Sequence, residues 1–149
     1  MKEKIMHVAD ILKAKGPNVI TVRPDLSIEH LVQRLRIANV GALVVSHSGT
    51  TVDGIISERD VARGLAEHGA DVLRCTVSDL MTHSVVTCSP GDAFAHVAKI
   101  MTQRRIRHLP VMDEKALVGI ISIGDVVRYR LDELELEANV LRDYAVVRH

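Results

Sequence analysis

Aromatic side chains are almost missing from this sequence. There is no tryptophan, and Phe94, Tyr129 and Tyr144 are the whole aromatic set among 149 residues. That scarcity argues against sites that stack sugars or single-stranded bases on rings, and it leaves any core to Val, Ile, Leu, Ala and Met. Cysteine is nearly as rare. Cys75 and Cys88 are too few for a disulfide framework, so a reducing compartment, the cytoplasm, is the simplest expectation. An excess of either charge is lacking too: residues 1–74 carry ten basic and nine acidic residues, and residues 75–149 carry nine and ten. Neither half offers a nucleic-acid footprint or a polybasic membrane patch. No apolar run approaches the roughly eighteen residues of a membrane span. His7 and Asp10 interrupt the opening segment, so no signal peptide is expected. With 47% hydrophobic and 26% charged residues, the chain has the balance of a globular protein rather than a disordered one.

What the chain does have is repetition. Val8-Ala-Asp-Ile-Leu12 returns as Val77-Ser-Asp-Leu-Met81, and Val19-Ile-Thr-Val-Arg-Pro24 returns as Val85-Val-Thr-Cys-Ser-Pro90. Gly54-Ile-Ile-Ser-Glu-Arg-Asp-Val61 returns as Gly119-Ile-Ile-Ser-Ile-Gly-Asp-Val126. The offset drifts only from 69 to 66 to 65 residues, which puts the gaps in loops. Two copies of one unit of about sixty residues follow.

Each copy has one grammar, β-α-β-β-α. A β-branched run (residues 19–22 and 85–88) ends at a proline, as a strand before a turn should. A helix follows, started by Asp25 or Ser27 in one copy and by Asp92 in the other. Ile28, Leu31, Val32 and Leu35 recur at helical spacing, as do Phe94, Val97, Ala98 and Met101, and both stripes are expected to be core. Two strands joined tightly come next (42–46 to 52–57, and 109–112 to 117–122), with Ser48-Gly49 and Asp113-Glu114-Lys115 as turns. A second helix then starts at Glu58 or Ile123. The expected fold is α+β (mixed α/β): two repeats packed sheet to sheet, over residues 1–67 and 77–130, joined by a linker at 68–76. Residues 131–149 form a helical extension that continues the second repeat's last helix, and along the two Val127, Leu131, Leu134, Ala138, Leu141 and Ala145 make a heptad seam. Just over two heptads are too few for an independent coiled coil, so this helix is expected to dock on its own domain or across a homodimer interface.

The repeated Gly-Ile-Ile-Ser-x-x-Asp block carries the most chemical information. Ser-x-x-Asp after a strand is first of all a helix capping box. The same geometry suits a ribose phosphate: a helix N-terminus attracts phosphate, and an Asp one turn in accepts ribose hydroxyls. A cap alone does not require the whole block twice, with Gly54 and Gly119 included. A second block, Gln103-Arg-Arg-Ile-Arg-His-Leu-Pro-Val111, sets Arg104, Arg105, Arg107 and His108 before a strand. It reads either as a solvated helix end or as an anion clamp. Its counterpart, Ala38-Asn-Val-Gly-Ala-Leu43, has no cation, so one cleft is built for more negative charge than the other.

These blocks resemble a tandem of cystathionine-β-synthase-type (CBS) domains, a Bateman module, over about residues 5–131, and are similar to small stand-alone bacterial CBS-pair proteins. The specific marks are Val19-Ile-Thr21, Val85-Val-Thr87, Arg107-His-Leu-Pro-Val111 and the two Gly-Ile-Ile-Ser-x-x-Asp blocks. The resemblance implies up to two adenosine-type sites in the cleft between the repeats, and flat dimers. By position, Asp60 and Asp125 would hold ribose hydroxyls, and Ser57 and Ser122 would contact phosphate or ribose. Thr21 and Thr87, with Ile20 and Val86, would meet the adenine. Arg107 and His108 would reach the phosphates of the ligand held by Asp60. Arg59 and Arg63 read first as surface residues and second as further phosphate partners, and Pro110 and Gly124 fall within the same implied nucleotide-binding set. Gly41 and Ala42 replace Arg107 and His108 in the first copy, so the Asp125 site is expected to bind a less charged ligand, another pose, or nothing.

An enzyme is the first rival. No Gly-x-Ser-x-Gly elbow, Walker-A loop or Gly-x-Gly-x-x-Gly occurs. Cys75, His83, Cys88 and His96 lack zinc-ligand spacing, and the repeat-aligned His30 and His96 read as packing or surface residues. The expectation is a non-catalytic regulatory module with no required cofactor and no metal. An adenosyl compound (AMP, ADP, ATP, NAD(H) or S-adenosylmethionine) is its regulatory ligand. Expected partners are a second copy and a downstream protein, with no nucleic acid and no membrane. The rival of another class is a homodimerisation scaffold without ligand binding.

Overall fold

The computed structural model describes residues 5–147; residues 1–4 and 148–149, at the outer edges of the expected first repeat and extension, lie outside the described residues. In chain order the elements are α1 (Val8–Lys15), β1 (Thr21–Val22), α2 (Ile28–Ala38), β2 (Ala42–Val45), β3 (Gly54–Ser57), α3 (Glu58–His68), α4 (Val77–Leu80), α5 (Phe94–Arg104), β4 (His108–Asp113), β5 (Ala116–Ser122) and α6 (Ile123–Val147). β1 runs parallel to β2, pairing Thr21 with Val44, and β2 pairs antiparallel with β3 from Ala42–Ser57 to Val45–Gly54. β4 and β5 pair antiparallel from His108–Ser122 to Asp113–Ala116. The fold is mixed α/β, with two small sheets of three and two strands.

The strand expected over 85–88 shrinks to one parallel bridge between Cys88 and Val111. Cys88 N–H donates to Pro110 O at 3.0 Å and Cys88 O accepts Met112 N–H at 2.8 Å, while Val85 and Val86 line a cleft instead of pairing. Helix α2 starts at Ser27, whose Oγ accepts the His30 N–H at 3.3 Å. Asp92 does not cap α5. Ala93 holds that position, the Asp92 carboxylate accepts Ser89 N–H at 2.8 Å, and Phe94 N–H donates to Met6 O at 2.8 Å.

That last bond belongs to a crossover. Helix α1 packs on the second copy: Val8 N–H reaches Asp92 O and Ala9 N–H reaches Pro90 O, both at 2.9 Å. Its Val8 and Ile11 are fully buried in one core with Phe94, Val97, Met101, Leu109, Val111 and Ile121. Helix α4 packs on the first copy in the same way, with Val77 N–H on Leu26 O at 2.8 Å and Val77 buried beside Ile28, Leu31, Leu35 and Ile56. Each such Ile or Leu contributes about 1.5–3 kcal/mol on burial. Between α3 and α4 the chain makes a 3₁₀ turn over Gly69–Arg74, whose Val72 enters the first core.

The crossover explains the two repeated glycines. A Cβ at Gly119 would stand 2.4 Å from Leu12 Cδ2, and one at Gly54 would stand 2.7 Å from Thr82 O and 2.8 Å from Met81 Sδ. Leu12 and Met81 are equivalent residues of the repeat. Glycine lets the crossing helix lie directly on the strand, so these two positions answer to packing.

Helix α6 docks through its first turns. Val126 is buried, and Tyr129 meets Phe94 edge to face, with ring centroids 6.3 Å apart. From Leu131 onward the seam positions stand exposed, Leu134 and Leu141 among them, so within one chain this stretch does not dock.

Candidate functional site

β3 delivers Ser57 to the start of α3, and the capping box forms. Asp60 N–H donates to Ser57 Oγ at 3.3 Å, and Ser57 N–H and Oγ–H donate to Asp60 Oδ2 at 2.9 and 3.0 Å. The bonds to the carboxylate fall on Oδ2; Oδ1 takes no hydrogen bond from the described residues. At the start of α6 the same box recurs, with Ser122 N–H on Asp125 Oδ2 at 2.9 Å and Asp125 N–H on Ser122 Oγ at 3.2 Å.

Around Asp60 the two copies form a cleft of about 390 Å³, within the size range of small-molecule sites. The first copy contributes Gly41, Ile55, Ser57, Glu58, Arg59, Asp60 and Arg63. The second contributes Thr82, Ser84, Val85 and Val86 ahead of Cys88, Arg105, Ile106 and Arg107 between α5 and β4, and His108 at the start of β4. Of the residues expected from sequence, Ser57, Arg59, Asp60, Arg63, Val86, Arg107 and His108 meet here. Four arginines face two carboxylates, a surplus of positive charge aimed at one space.

His108 sits at the inner wall, where its ring comes 3.9 Å from the place a Gly41 Cβ would take. Burial first, then the Lys15 and Arg107 charges, pull its imidazole below the ordinary 6.5, against a smaller upward pull from Asp125 and Glu58. Burial drives the Cys88 thiol up to about 12, helped by Asp92, so that buried sulfur is inert.

The remaining expected residues lie elsewhere. Ser122 ends β5 and Gly124 and Asp125 lie in the first turn of α6, all outside the Asp60 cleft. Thr21 lies in β1 behind a half-exposed Ile20, and Thr87 is exposed. Pro110 is buried in β4, where its carbonyl binds Cys88. Asp125 is already engaged: Lys15 Nζ donates to its Oδ2 at 2.7 Å and to Ile120 O at 2.8 Å. Burial pushes this carboxyl upward, but the Lys15 ammonium and the Ser122 N–H outweigh it and hold it below 3.8.

Sequence reasoning missed Thr82, Ser84, Val85 and Ile106 as lining residues, and it left Arg105 in a cationic block without a place. Arg105 had a signal. It closes α5 with φ 54°, the left-handed angle with which Asn39, its repeat counterpart, closes α2. Val85 and Ile106 stand inside blocks that were read for their neighbours, while Thr82 and Ser84 bear no motif and reach the cleft through the segment that follows the crossing of α4. A larger groove of about 540 Å³ lies between α2 and α3, lined by Val32, Leu35, Arg36, Asn39, Val40, Gly41, Glu58 and Val61. Apart from Gly41 and Glu58 it shares nothing with the Asp60 cleft.

Comparison with known proteins agrees with this architecture. The family model described as "CBS domain" matches residues 8–67 and 77–132. The crystal structure of a CBS-domain-containing protein, ATU1752 from Agrobacterium tumefaciens, is similar with a TM-score of 0.80 and 42% identity, covering 84% of this chain and 99% of that one. The CBS-domain pair of the protein MJ0100, solved with 5′-methylthioadenosine and S-adenosyl-L-methionine, has a TM-score of 0.77 and 29% identity over 87% of this chain and 99% of its own. The structure of CBSX2 in complex with AMP has a TM-score of 0.71 and 27% identity over 85% and 96%.

Proposed function

The chain belongs to the CBS-domain family, and from that premise we propose that it is a non-catalytic regulatory module binding a phosphate-bearing adenosine ligand at Asp60. The observation that carries this reading is the meeting of a helix-start carboxylate with Arg59, Arg63, Arg105 and Arg107 in one cleft fed by both copies. Asp60 Oδ1 accepts a ribose hydroxyl while Oδ2 stays with Ser57. Val85, Val86, Ile55 and Ile106 supply the aliphatic surface an adenine needs where no ring is available. The arginines grip phosphate oxygens as guanidinium forks. Neighbours solved with AMP and with S-adenosyl-L-methionine support the adenosine class, and the surplus of arginine favours AMP, ADP, ATP or NAD over an uncharged nucleoside. The ligand shifts the angle between the copies, or between two protomers of a homodimer, and a separate cytoplasmic protein reads the change. That coupling requires unequal affinity for the two states.

A thermal-shift panel tests this with AMP, ADP, ATP, NAD, S-adenosylmethionine and adenosine on nucleotide-free wild type and Asp60→Ala. A ligand at 100 times its Kd adds about 2.7 kcal/mol, a rise of several degrees. The expected result is a shift from a phosphate-bearing ligand that vanishes in Asp60→Ala. No shift from any of the six favours the second reading, a dimerisation scaffold, which the exposed Ile37, Leu65 and Leu141 support.

A further inference from the structure

We propose that Lys15 is a built-in occupant of the second nucleoside site, so that the module takes one ligand at Asp60 and a second only when Lys15 is released. The inference rests on the reading above, in which these carboxylates hold ribose hydroxyls, and it deepens that reading by setting the number of ligands. The repeat lets the surroundings of Asp60 and Asp125 be compared residue by residue. Helix α4 stops after four residues, and Thr82 beyond it pairs with Ile55 through two backbone bonds, Ile55 N–H to Thr82 O at 3.0 Å and Thr82 N–H to Ile55 O at 2.9 Å. Helix α1 continues for eight residues and ends at Gly16, whose φ of 92° turns the chain away.

The added turn puts Lys15 where the bridge would be. Its ammonium binds Ile120 O, the counterpart of Ile55 O, at 2.8 Å, and Asp125 Oδ2, the counterpart of Asp60 Oδ2, at 2.7 Å. The Lys15 side chain is 34% exposed and that of Asp125 14%, so the pair lies at the mouth of the site and partly out of water. A ribose hydroxyl donating to this carboxylate brings no charge of its own, whereas the ammonium pairs with the carboxylate as an ion and also donates to Ile120 O, so a hydroxyl replaces one hydrogen bond of the two and none of the charge pairing. A nucleoside alone therefore does not displace this ammonium. Oδ1 takes no hydrogen bond from the described residues in either copy; the difference lies at Oδ2, so a ribose hydroxyl reaching Asp125 meets an ammonium beside its acceptor and one reaching Asp60 does not.

The test uses the full chain and two readouts. The first needs no ligand: the Asp125 carboxyl is titrated by NMR in wild type and in Lys15→Met, which keeps the stem of the side chain. Its pKa is expected to move upward in the variant; an unchanged value overturns the latch. The second counts AMP by calorimetry. Wild type and Lys15→Arg are expected to bind one AMP per chain, lost in Asp60→Ala and kept in Asp125→Ala. Lys15→Met is expected to bind two, the second lost on adding Asp125→Ala. Two equivalent sites in wild type, or one site still in Lys15→Met, overturn the latch and leave the nucleotide reading standing. No AMP bound by wild type or by Lys15→Met overturns the nucleotide reading, and the gate falls with it.

Discussion

Arg105 and Asn39 hold the same place at the ends of α5 and α2, with the same φ of 54°. Asn tolerates that left-handed angle and arginine does so at a cost, which for a non-glycine residue is of order 1–3 kcal/mol. A strained cation in an arginine-lined cleft is explained if its side chain serves the ligand. Arg105→Asn should therefore raise the melting temperature by a few degrees while weakening AMP and leaving adenosine unchanged; equal loss for both would detach Arg105 from the phosphate. His108 gives a pH signature. Its folded pKa lies below 6.5, so the unfolded chain binds more protons as pH falls through 6.5, and His108 stabilises the fold only above that point. A phosphate beside it favours the charged form, so AMP affinity should gain a His108-dependent rise between pH 7.5 and 5.5. The ligand's own second ionisation near 6 works the other way, so the difference between wild type and His108→Asn is the quantity to measure. At this scale the motif residues Ser57, Asp60 and Arg107 were legible because each is tied to a local pattern. Lys15 was not, since it reaches its partner across 110 positions of sequence.

Among the elements, the apolar stripes of α2 and α5 were readable from spacing alone: Ile28, Leu31, Leu35, Phe94, Val97 and Met101 are buried, while Val32 lines the groove. Which core the first helix of each copy joins was not readable, because α1 and α4 carry the same local pattern whichever sheet they cross. The glycines record that choice, and they yield unequal predictions. A Cβ at position 119 meets the flexible end of Leu12, whereas one at 54 meets the fixed carbonyl of Thr82. Overpacking typically costs about 1–3 kcal/mol. Gly54→Ala should lie at or above the top of that range and Gly119→Ala toward the bottom, measured by urea denaturation. The reverse order would mean that the Thr82–Ile55 bridge yields more readily than the α1 contact.

For the whole molecule, most of the exposed large apolar side chains among the described residues fall on two sets of elements, while Ile5, Ile20 and Leu73 stand apart. One is the α2–α3 face with Val32, Ile37, Val40 and Leu65; the other is α6 beyond Leu131, with Leu134, Leu136, Val140 and Leu141. Contiguous apolar surface of this kind usually marks an interface, which supports the homodimer proposed above and lets its face be chosen by experiment. If α6 pairs along its seam, Leu134→Glu with Leu141→Glu removes four leucines from a dimer. At about 1.5–3 kcal/mol for each buried leucine, association should loosen by at least ~10,000-fold, moving the sedimentation coefficient to that of a monomer at micromolar concentration. If the dimer forms on the α2–α3 face, that variant stays dimeric and Ile37→Glu with Leu65→Glu dissociates instead. All four side chains are exposed in the single chain, so folding of the monomer is unaffected in either case. AMP binding should survive dissociation, because a single chain already brings Asp60 and the four arginines together. Loss of binding on dissociation would mean that a second protomer completes the site.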